Sequence, residues 1–242
     1  QELAPLRTDI SKGRNFEIFV RLIGSDGDYI SPAVFIPAAE RYNMMTSIDK
    51  WVISESLKSC GDHLWAHPHD QIAINLSVSS IDDKGLSAYI EGELRRSNVR
   101  AEQICFEITE TALMSNVGAS IEFISRIQNI GAKIALDDFG VGMSSFAYLK
   151  LFRADTIKID ASFVRDVNKD GRDREIISAI VGLSKALGIE TVAEGIETLD
   201  QLTSVRDLGV TTGQGYYFCR PGPIESIMMA HTLDKARIGT TG

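Results

Sequence analysis

The sequence predicts an α/β fold in which eight short strands alternate with helices and close into a (β/α)8 barrel. Two observations favour this class. Strand-like apolar runs alternate with amphipathic stretches along the chain, and glycines follow two of those stretches directly. An open doubly wound sheet would show the same alternation, but eight strand candidates in one domain of 242 residues favour the barrel.

The strand candidates are short runs rich in apolar and β-branched residues. In chain order they read QELAPL, FEIFVRL, IAINLSV, ICFEIT, KIALDD, TIKID, ETVAEG and GQGYYF. Between them, residues 47–67, 119–130 and 173–187 repeat apolar side chains at intervals of three and four, which predicts amphipathic helices. Gly131 and Gly188 follow two of these stretches, where a helix commonly ends in a left-handed residue. The chain therefore repeats the unit helix, glycine, strand.

The composition narrows the range of partners. The net charge of −8 argues against a nucleic-acid polymer as partner.

No linker is visible and no apolar run reaches the roughly 18–20 residues of a membrane span, so we expect one soluble domain over residues 1–242. Cys60, Cys105 and Cys219 are scattered without a CxxC pair, as in a cytoplasmic protein with reduced thiols. Because Gln1 already lies in a strand candidate, we expect this domain to be part of a longer protein, which could itself be membrane-anchored.

The stretch IALDDFGVG, residues 134–142, ends an apolar run in two adjacent carboxylates. On a strand, Asp137 and Asp138 would face opposite ways, and at a strand end they would repel each other unless a cation lay between them. A solvated turn of Asp and Gly is the simpler interpretation of this stretch alone. Other strand candidates are also interrupted by polar residues, and this recurrence favours one shared site at the carboxyl ends of the strands. The residues are Glu17, Asn75, Glu107, Asp137, Asp138, Lys158 and Glu194.

The chemistry of these side chains indicates a metal site. Carboxylate and amide oxygens without histidine or cysteine suit Mg²⁺ or Mn²⁺ better than zinc. One carboxylate of the pair Asp137 and Asp138 can bridge two ions about 4 Å apart, the arrangement that stabilises attacking and leaving oxygens in phosphoryl displacement. Lys158 would orient the attacking water or neutralise charge on phosphorus. A structural salt bridge with a neighbouring aspartate is the alternative role of Lys158.

A succession of motifs extends over nearly the whole chain, from residue 1 to about residue 223. In order they read FEIFVRL, INLS, FEITET, DDFGVGMSSFAYLK, DTIKIDASFVRD, VAEGIET and GQGYYFCRP. This succession resembles the EAL-domain family of cyclic di-GMP phosphodiesterases. The resemblance implies a modified barrel with an antiparallel first strand that hydrolyses cyclic di-GMP to linear pGpG with two Mg²⁺ or Mn²⁺ ions. Ca²⁺ is expected to occupy the site and to inhibit, because it tolerates irregular geometry.

The resemblance also assigns metal ligands to the two ions. The first ion would be held by Glu17, Asn75, Glu107 and Asp137. The second ion would be held by Asp137, Asp138 and Glu194.

The remaining site residues take their roles from the same resemblance. The catalytic set implied is Lys158, which acts on the nucleophilic water, with Glu194, Glu110 and Gln214. The substrate contacts implied are Arg21, at a ligand phosphate, with Gln214 and Asp160. Glu197 matches a further acidic position. Glu110 is expected to hold the loop FGVGMSS, residues 139–145, which is also the expected homodimer contact, and upstream regulatory domains are expected partners.

Two departures from the family pattern affect the expectations. The signature Glu-Ala-Leu reads Glu17-Ile18-Phe19, which keeps the ligand and changes only its neighbours. Val141 and Met143 replace residues that are more often small or hydroxyl-bearing and aromatic, respectively, which affects loop packing and hence rate.

Two other functions remain open. A catalytically silent cyclic di-GMP receptor would be recognised by lost ligands, and here the metal positions and Lys158 are intact. A different metal-dependent barrel enzyme, such as an enolase-like lyase, would also cluster carboxylates at strand ends, but it would need a Lys or His base and a carboxylate substrate.

Overall fold

Eight strands close into a barrel in the computed structural model, which describes residues 1–6, 13–141 and 149–229. The strands are β1 Glu2–Pro5, β2 Asn15–Ile18, β3 Leu22–Ile23, β4 Tyr29–Ile30, β5 Gln71–Leu76, β6 Ile104–Thr109, β7 Lys133–Phe139, β8 Thr156–Ile159, β9 Glu190–Ala193 and β10 Thr212–Gly213. Around the barrel the order is β1, β10, β9, β8, β7, β6, β5, β2, while β3 and β4 form a separate two-stranded ribbon. The predicted α/β barrel is confirmed.

Helices alternate with these strands. They are α1 Pro32–Arg41, α2 Met45–Ala66, α3 Val78–Ile81, α4 Leu86–Arg96, α5 Glu110–Ser115, α6 Val117–Asn129, α7 Leu149–Phe152, α8 Ala161–Arg165, α9 Gly171–Leu187, α10 Leu199–Asp207 and α11 Ile224–Met229. A short 3₁₀ helix spans Ala101–Gln103. None of the helices in the described ranges combines the length and apolar character needed to cross a bilayer.

The first strand runs against its neighbours. β1 pairs antiparallel with β10, with Ala4 opposite Gly213, and antiparallel with β2, with Glu2 opposite Phe16. All other neighbouring strands of the barrel pair in parallel. The barrel therefore has the antiparallel first strand that the family resemblance implied.

The alternation of side chains along each strand separates the core from the site. On β6, Ile104, Phe106 and Ile108 are buried in the hydrophobic core that the helices share. Glu107, on the opposite face of this strand, lies beside Asn75 of β5 in the parallel register. The same period that buries the apolar residues therefore directs the polar ones to the barrel interior.

The predicted helices are confirmed with small shifts at their ends. The stretches 47–67, 119–130 and 173–187 correspond to α2, α6 and α9. Gly131 and Gly188 have φ of 94° and 72°, the left-handed conformation that glycine adopts without strain. The three cysteines are free thiols, and Cys60 is fully buried.

Two predicted strands are much shorter than expected, and four or more residues of each prediction lie outside the barrel strand. FEIFVRL ends as a barrel strand at Ile18, because Leu22 and Ile23 pair with β4 and so leave the barrel. GQGYYF contributes only Gly213 to β10. After it the backbone turns tightly at Gly215, where a Cβ atom would lie 2.1 Å from the carbonyl oxygen of Ile196. These turns place Arg21 and Gln214 outside regular strands.

Candidate active site

A cleft of about 750 Å³ opens at the carboxyl ends of the parallel strands. Its lining includes residues that the sequence predicted from six different strand candidates. They are Glu17, Asn75, Asp137, Asp138, Lys158, Glu194 and Gln214. Glu107 lies deeper, in contact with the Lys158 ammonium. The structure therefore brings the predicted metal ligands and the predicted lysine together.

Lys158 lies at the centre of this group. Its side chain is only 1% exposed, and its Nζ atom contacts four carboxylates. The distances from Nζ are 2.7 Å to Glu107 Oε2, 2.9 Å to Glu194 Oε1, 3.0 Å to Asp137 Oδ1 and 3.4 Å to Glu17 Oε2. Four strands supply these carboxylates or end beside them, so the barrel itself fixes the position of the ammonium. The alternative salt bridge predicted for Lys158 is present, and it involves several carboxylates.

Glu17 is held by two amide side chains. Asn75 Nδ2 donates to Glu17 Oε1 at 2.8 Å, and Gln214 Nε2 donates to Glu17 Oε2 at 2.6 Å. Gln214 Nε2 also donates to Gln1 Oε1 at 3.3 Å. Asn75 and Gln214 therefore orient this carboxylate.

The ionised forms of Lys158 and Glu17 stabilise each other. Burial alone would lower the pKa of Lys158, but the surrounding carboxylates raise it well above its usual range. Burial alone would raise the pKa of Glu17, but the charge of Lys158 and the amides of Gln214 and Asn75 together lower it. The surrounding carboxylates therefore favour the cationic form of Lys158.

The pKa values of Glu107, Glu194 and Asp138 are raised. Burial raises the pKa of Glu107 well above its usual range, and it raises that of Glu194 to about 7, with Lys158 opposing both shifts. Burial and the neighbouring charge of Asp137 also raise the pKa of Asp138. One ammonium does not compensate all of these carboxylates. The cluster therefore favours the binding of additional cations.

The two adjacent aspartates point to the same opening, although neighbouring strand residues normally face opposite ways. The pairing of β7 with β8 shifts register between Leu136 and Phe139, and Asp138 has a φ of 53°. This left-handed conformation is uncommon outside glycine, although Asp adopts it more readily than most residues. One carboxylate oxygen each from Asp137, Asp138 and Glu194 then lies within 4.8 Å of the others. The strained backbone thus builds a three-carboxylate group.

The donor set fits hard divalent cations. Every member offers carboxylate or amide oxygen, as Mg²⁺ and Mn²⁺ prefer. The buried Oε1 atom of Gln214 has no hydrogen-bond partner in the described ranges of the chain, and it lies in the same cleft. An ion or its bound water would satisfy such an acceptor.

Glu110 contacts the backbone that follows the aspartate pair. It is buried at the start of α5, and its Oε2 atom accepts a hydrogen bond of 3.4 Å from Gly140 N–H. Its Oε1 atom is buried without a hydrogen-bond partner among the described residues. This hydrogen bond reaches the loop 139–145 at Gly140, and the role of Glu110 as the tether of that loop remains a prediction. Met143 and the rest of the expected dimer loop lie outside the described residues.

Glu110→Ala is expected to reduce metal affinity or catalytic rate about 10- to 100-fold, as removal of an outer contact of a metal site typically does. The reason is that the left-handed backbone at Asp138 and Gly140 would lose a fixed acceptor. Calorimetric Mn²⁺ titration and steady-state kinetics measure the two effects. Glu122→Ala, which removes a carboxylate from the exposed surface of α6, is the matched control. Wild-type kinetics and metal affinity in Glu110→Ala would contradict the tether.

Three predicted residues lie outside the carboxylate cluster but line the same cleft. Arg21 is exposed and donates to the carbonyl oxygen of Val20 at 2.9 Å, so its guanidinium retains other donors. Asp160 caps α8 by accepting from Ser162 N–H at 2.9 Å. Glu197 is exposed at the cleft. These positions suit contact with a ligand better than contact with the central ammonium.

Asp49 and Gln1 also support the site, although the sequence did not single out either. Asp49 is buried on α2, and its Oδ2 atom accepts from Ser77 N–H at 2.8 Å and Ser80 Oγ at 2.6 Å. It thereby fixes the chain directly after β5, close to Asn75. An aspartate on the buried side of a predicted amphipathic helix was the available signal. No comparable signal marked Gln1.

Comparisons with known proteins show which sequences and folds this chain resembles. The model of the EAL domain family matches residues 3–221. The cyclic di-GMP phosphodiesterase PdeB of Shewanella oneidensis is 35% identical over 218 residues, which cover 89% of this chain and 25% of that protein. The cyclic di-GMP phosphodiesterase NbdA of Pseudomonas aeruginosa is 34% identical over 211 residues, which cover 86% of this chain and 27% of that protein. This chain therefore spans about a quarter of the length of these relatives.

Solved structures show the same fold. The PaMucR phosphodiesterase in complex with c-di-GMP aligns with a TM-score of 0.84 and 31% identity, covering 93% of this chain and 92% of that one. The FimX EAL domain from Pseudomonas aeruginosa bound to c-di-GMP aligns with a TM-score of 0.83 and 27% identity, covering 92% of this chain and 88% of that one.

Proposed function

Because this chain belongs to the EAL domain family, we propose that it is a phosphodiesterase that hydrolyses cyclic di-GMP to linear pGpG with the help of divalent metal ions. Relatives named as cyclic di-GMP phosphodiesterases and the solved c-di-GMP complexes support this substrate. One observation carries the proposal. The aspartate pair and Glu194 form a three-carboxylate group beside the buried ammonium of Lys158, at the floor of an open cleft.

Two Mg²⁺ or Mn²⁺ ions are the proposed cofactors. Their ligands would be Glu17, Asn75, Glu107, Asp137, Asp138 and Glu194, with Asp137 shared. When bound, the ions would polarise a phosphoryl oxygen and make water a stronger nucleophile at neutral pH. Asn75 and Gln214 hold the Glu17 carboxylate by hydrogen bonds of 2.8 Å and 2.6 Å, which reduces the reorganisation that ligation would require.

The remaining residues have roles in binding and in charge stabilisation. Lys158 is a fixed cation at the floor of the cleft, so it would stabilise negative charge that grows on the phosphoryl group or orient the attacking water. Arg21 is exposed in the cleft wall and would bind a phosphate of the nucleotide. Gln214 would help to position metal-bound water through its free Oε1 atom. Asp160 lines the cleft and would contact the nucleotide.

A silent receptor is the second candidate, because the same cleft and Arg21 would bind the nucleotide without turnover. The deciding experiment incubates the purified chain with cyclic di-GMP and Mg²⁺, and resolves the products by chromatography. Formation of pGpG is expected. Binding of cyclic di-GMP by calorimetry without any pGpG would establish the receptor instead. A lack of binding would overturn both candidates.

Chelation is expected to abolish hydrolysis, and added Mg²⁺ or Mn²⁺ should restore it, because the carboxylate cluster would lose the cations that compensate it. Rates are measured by pGpG formation in excess chelator and after metal is added back. Ca²⁺ should bind but support little hydrolysis, since it accepts less regular coordination than the reaction requires. Full activity in excess chelator, or activation by Ca²⁺, would contradict the metal-dependent mechanism.

Two further predictions concern the assembly: this chain forms a homodimer, and it is part of a longer protein with regulatory domains. A homodimer through the loop after Asp138 is testable by analytical ultracentrifugation of this chain, which should sediment as two copies. Upstream regulatory domains are expected from the family.

A further inference from the structure

A second cluster of metal-binding side chains lies at the opposite end of the barrel. His63 lies in the last turn of α2, His67 directly follows this helix as its C-cap residue, and Asp70 directly precedes β5. One potential ligand atom from each of the three lies within 4.8 Å of the other two. Asn75 marks the other end of β5, where the carboxylate cleft lies, so the two groups are separated by the length of the strand.

Asp70 and His63 already form a fixed pair. Asp70 is buried, and its Oδ1 atom accepts from Arg14 N–H at 2.8 Å. Its Oδ2 atom lies 2.8 Å from His63 Nε2. The guanidinium of Arg14 does not compete for this carboxylate, because it binds both oxygens of Glu2 at 2.7 Å and 2.8 Å. The aspartate therefore directs one oxygen toward the histidines.

His67 presents a suitable nitrogen. Its Nδ1 atom lies 2.9 Å from the carbonyl oxygen of His63, and in this contact the Nδ1–H group is the donor. A neutral ring in this tautomer keeps the lone pair of Nε2 for a metal, and metal-binding histidines commonly donate their other nitrogen to a backbone carbonyl in this way. The rings of His63 and His67 stack with centroids 4.3 Å apart.

The side chain of Gln103 fixes the backbone turn between the histidines and Asp70. The side-chain amide of Gln103 donates to the carbonyl oxygens of Leu64, His67 and Asp70 at 2.9 Å, 3.2 Å and 3.1 Å. Three hydrogen bonds from one amide fix the backbone from which the side chains project. To complete a coordination sphere, the exposed His67 ring would rotate and the side chains of His63 and Asp70 would move slightly apart.

We propose that His63, His67 and Asp70 bind one Zn²⁺ ion, with a fourth position open to water. The set comprises one imidazole on the last turn of α2, one imidazole on the residue that caps this helix, and one carboxylate. Such a set suits Zn²⁺, with bonds of about 2.0–2.2 Å. Binding would displace the Nε2 proton of His63, to Nδ1 of the same ring or to solvent, and would replace the hydrogen bond between His63 and Asp70 with two metal bonds. Excess Mg²⁺ would compete by mass action for the oxygen-only cleft, which limits the Zn²⁺ that binds there.

The test titrates Zn²⁺ against the purified chain in excess Mg²⁺, in competition with a chromophoric chelator, and uses Co²⁺ absorption as a spectroscopic probe. The wild type should bind one equivalent of Zn²⁺, and Co²⁺ should give the intense bands of a site with nitrogen ligands and low coordination number. His67→Ala should lose this spectrum and bind Zn²⁺ at least about tenfold more weakly. His69→Ala removes a histidine two residues away that is not part of the cluster, and it should behave as wild type.

These readouts do not depend on hydrolysis, so they stand apart from the proposed phosphodiesterase activity. Circular dichroism should show that both variants fold, since both side chains are exposed. Equal Zn²⁺ affinity in wild type and His67→Ala would overturn the proposal, as would a wild type that takes up no Zn²⁺ under these conditions. Equal losses in His67→Ala and His69→Ala would also overturn it, because they would indicate a nonspecific histidine effect.

Discussion

Lys158→Ala is expected to reduce the turnover of cyclic di-GMP about 100- to 1,000-fold, the usual effect of removing one preorganised electrostatic group. The ammonium is fixed by four carboxylates and would face the reacting phosphate, so its charge would act mainly in the transition state. Divalent metal binding should not weaken, because the substitution removes a positive charge from the site. Steady-state kinetics in Mg²⁺ and nucleotide calorimetry in Ca²⁺ separate the two effects.

The same substitution should destabilise the metal-free protein. Removing one partner of a buried ion pair commonly costs about 3–5 kcal/mol, and divalent cations should recover part of this loss by compensating the carboxylates. Denaturant unfolding with and without Mg²⁺ measures the difference. Lys169→Ala, which removes an exposed lysine paired with Asp166, is the matched control for both experiments. If Lys158→Ala hydrolyses at the wild-type rate, Lys158 serves only as a structural ion-pair partner.

Asp137→Asn is expected to decrease the Mg²⁺-supported rate by at least about 100-fold. Loss of a residue that only contacts a metal ligand costs up to about 100-fold, and loss of a ligand charge should cost at least as much. Asparagine has the same shape but lacks the charge, and Asp137 belongs to both the Lys158 cluster and the three-carboxylate group. The rate should recover partly at high metal concentration if metal affinity is the main loss. A Mg²⁺ titration of the rate, together with Mn²⁺ calorimetry, measures this.

The control for this substitution is Asp207→Asn, at an exposed position at the end of α10. It makes the same chemical change far from the cleft and should leave both the rate and the metal affinity unchanged. An Asp137→Asn variant with wild-type metal dependence would show that the aspartate pair does not bind the ions. That result would leave the bulged end of β7 without an assigned function.

The barrel could be predicted from the sequence because the patterns that indicate its strands and helices each lie within a short stretch of the chain. Each core strand carries a short run of apolar residues, and each amphipathic helix repeats apolar residues at intervals of three and four. The predicted strand ICFEIT, for example, matches β6 residue for residue. The convergence of Glu107, Lys158 and Glu194 followed from strand topology alone, since parallel strands of a barrel end at one face. Their distances depended on the closed barrel and could not be predicted.

The failures have equally physical causes. Where FEIFVRL stops being a barrel strand depends on the partner that Leu22 finds in β4, and a run of apolar residues does not reveal that partner. The left-handed conformation of Asp138 reconciles two carboxylates that a regular strand would separate, but its sequence gives no sign beyond a nearby glycine. His63, His67 and Asp70 were not singled out, because only the turn after α2 brings the three side chains together.

The antiparallel β1 has a consequence for how this molecule folds. It completes the ring by pairing residue 4 with residue 213, so the last hydrogen bonds of the barrel join the two most distant strands in the sequence. Contacts of such long range form slowly, because much of the chain must be ordered before they become favourable. Until then β1 and β10 expose unpaired edges that can capture a strand from another copy. We therefore expect folding and aggregation to compete at the step that closes the ring. The residues that control this step lie in β1 and β10, the first and last strands in the sequence.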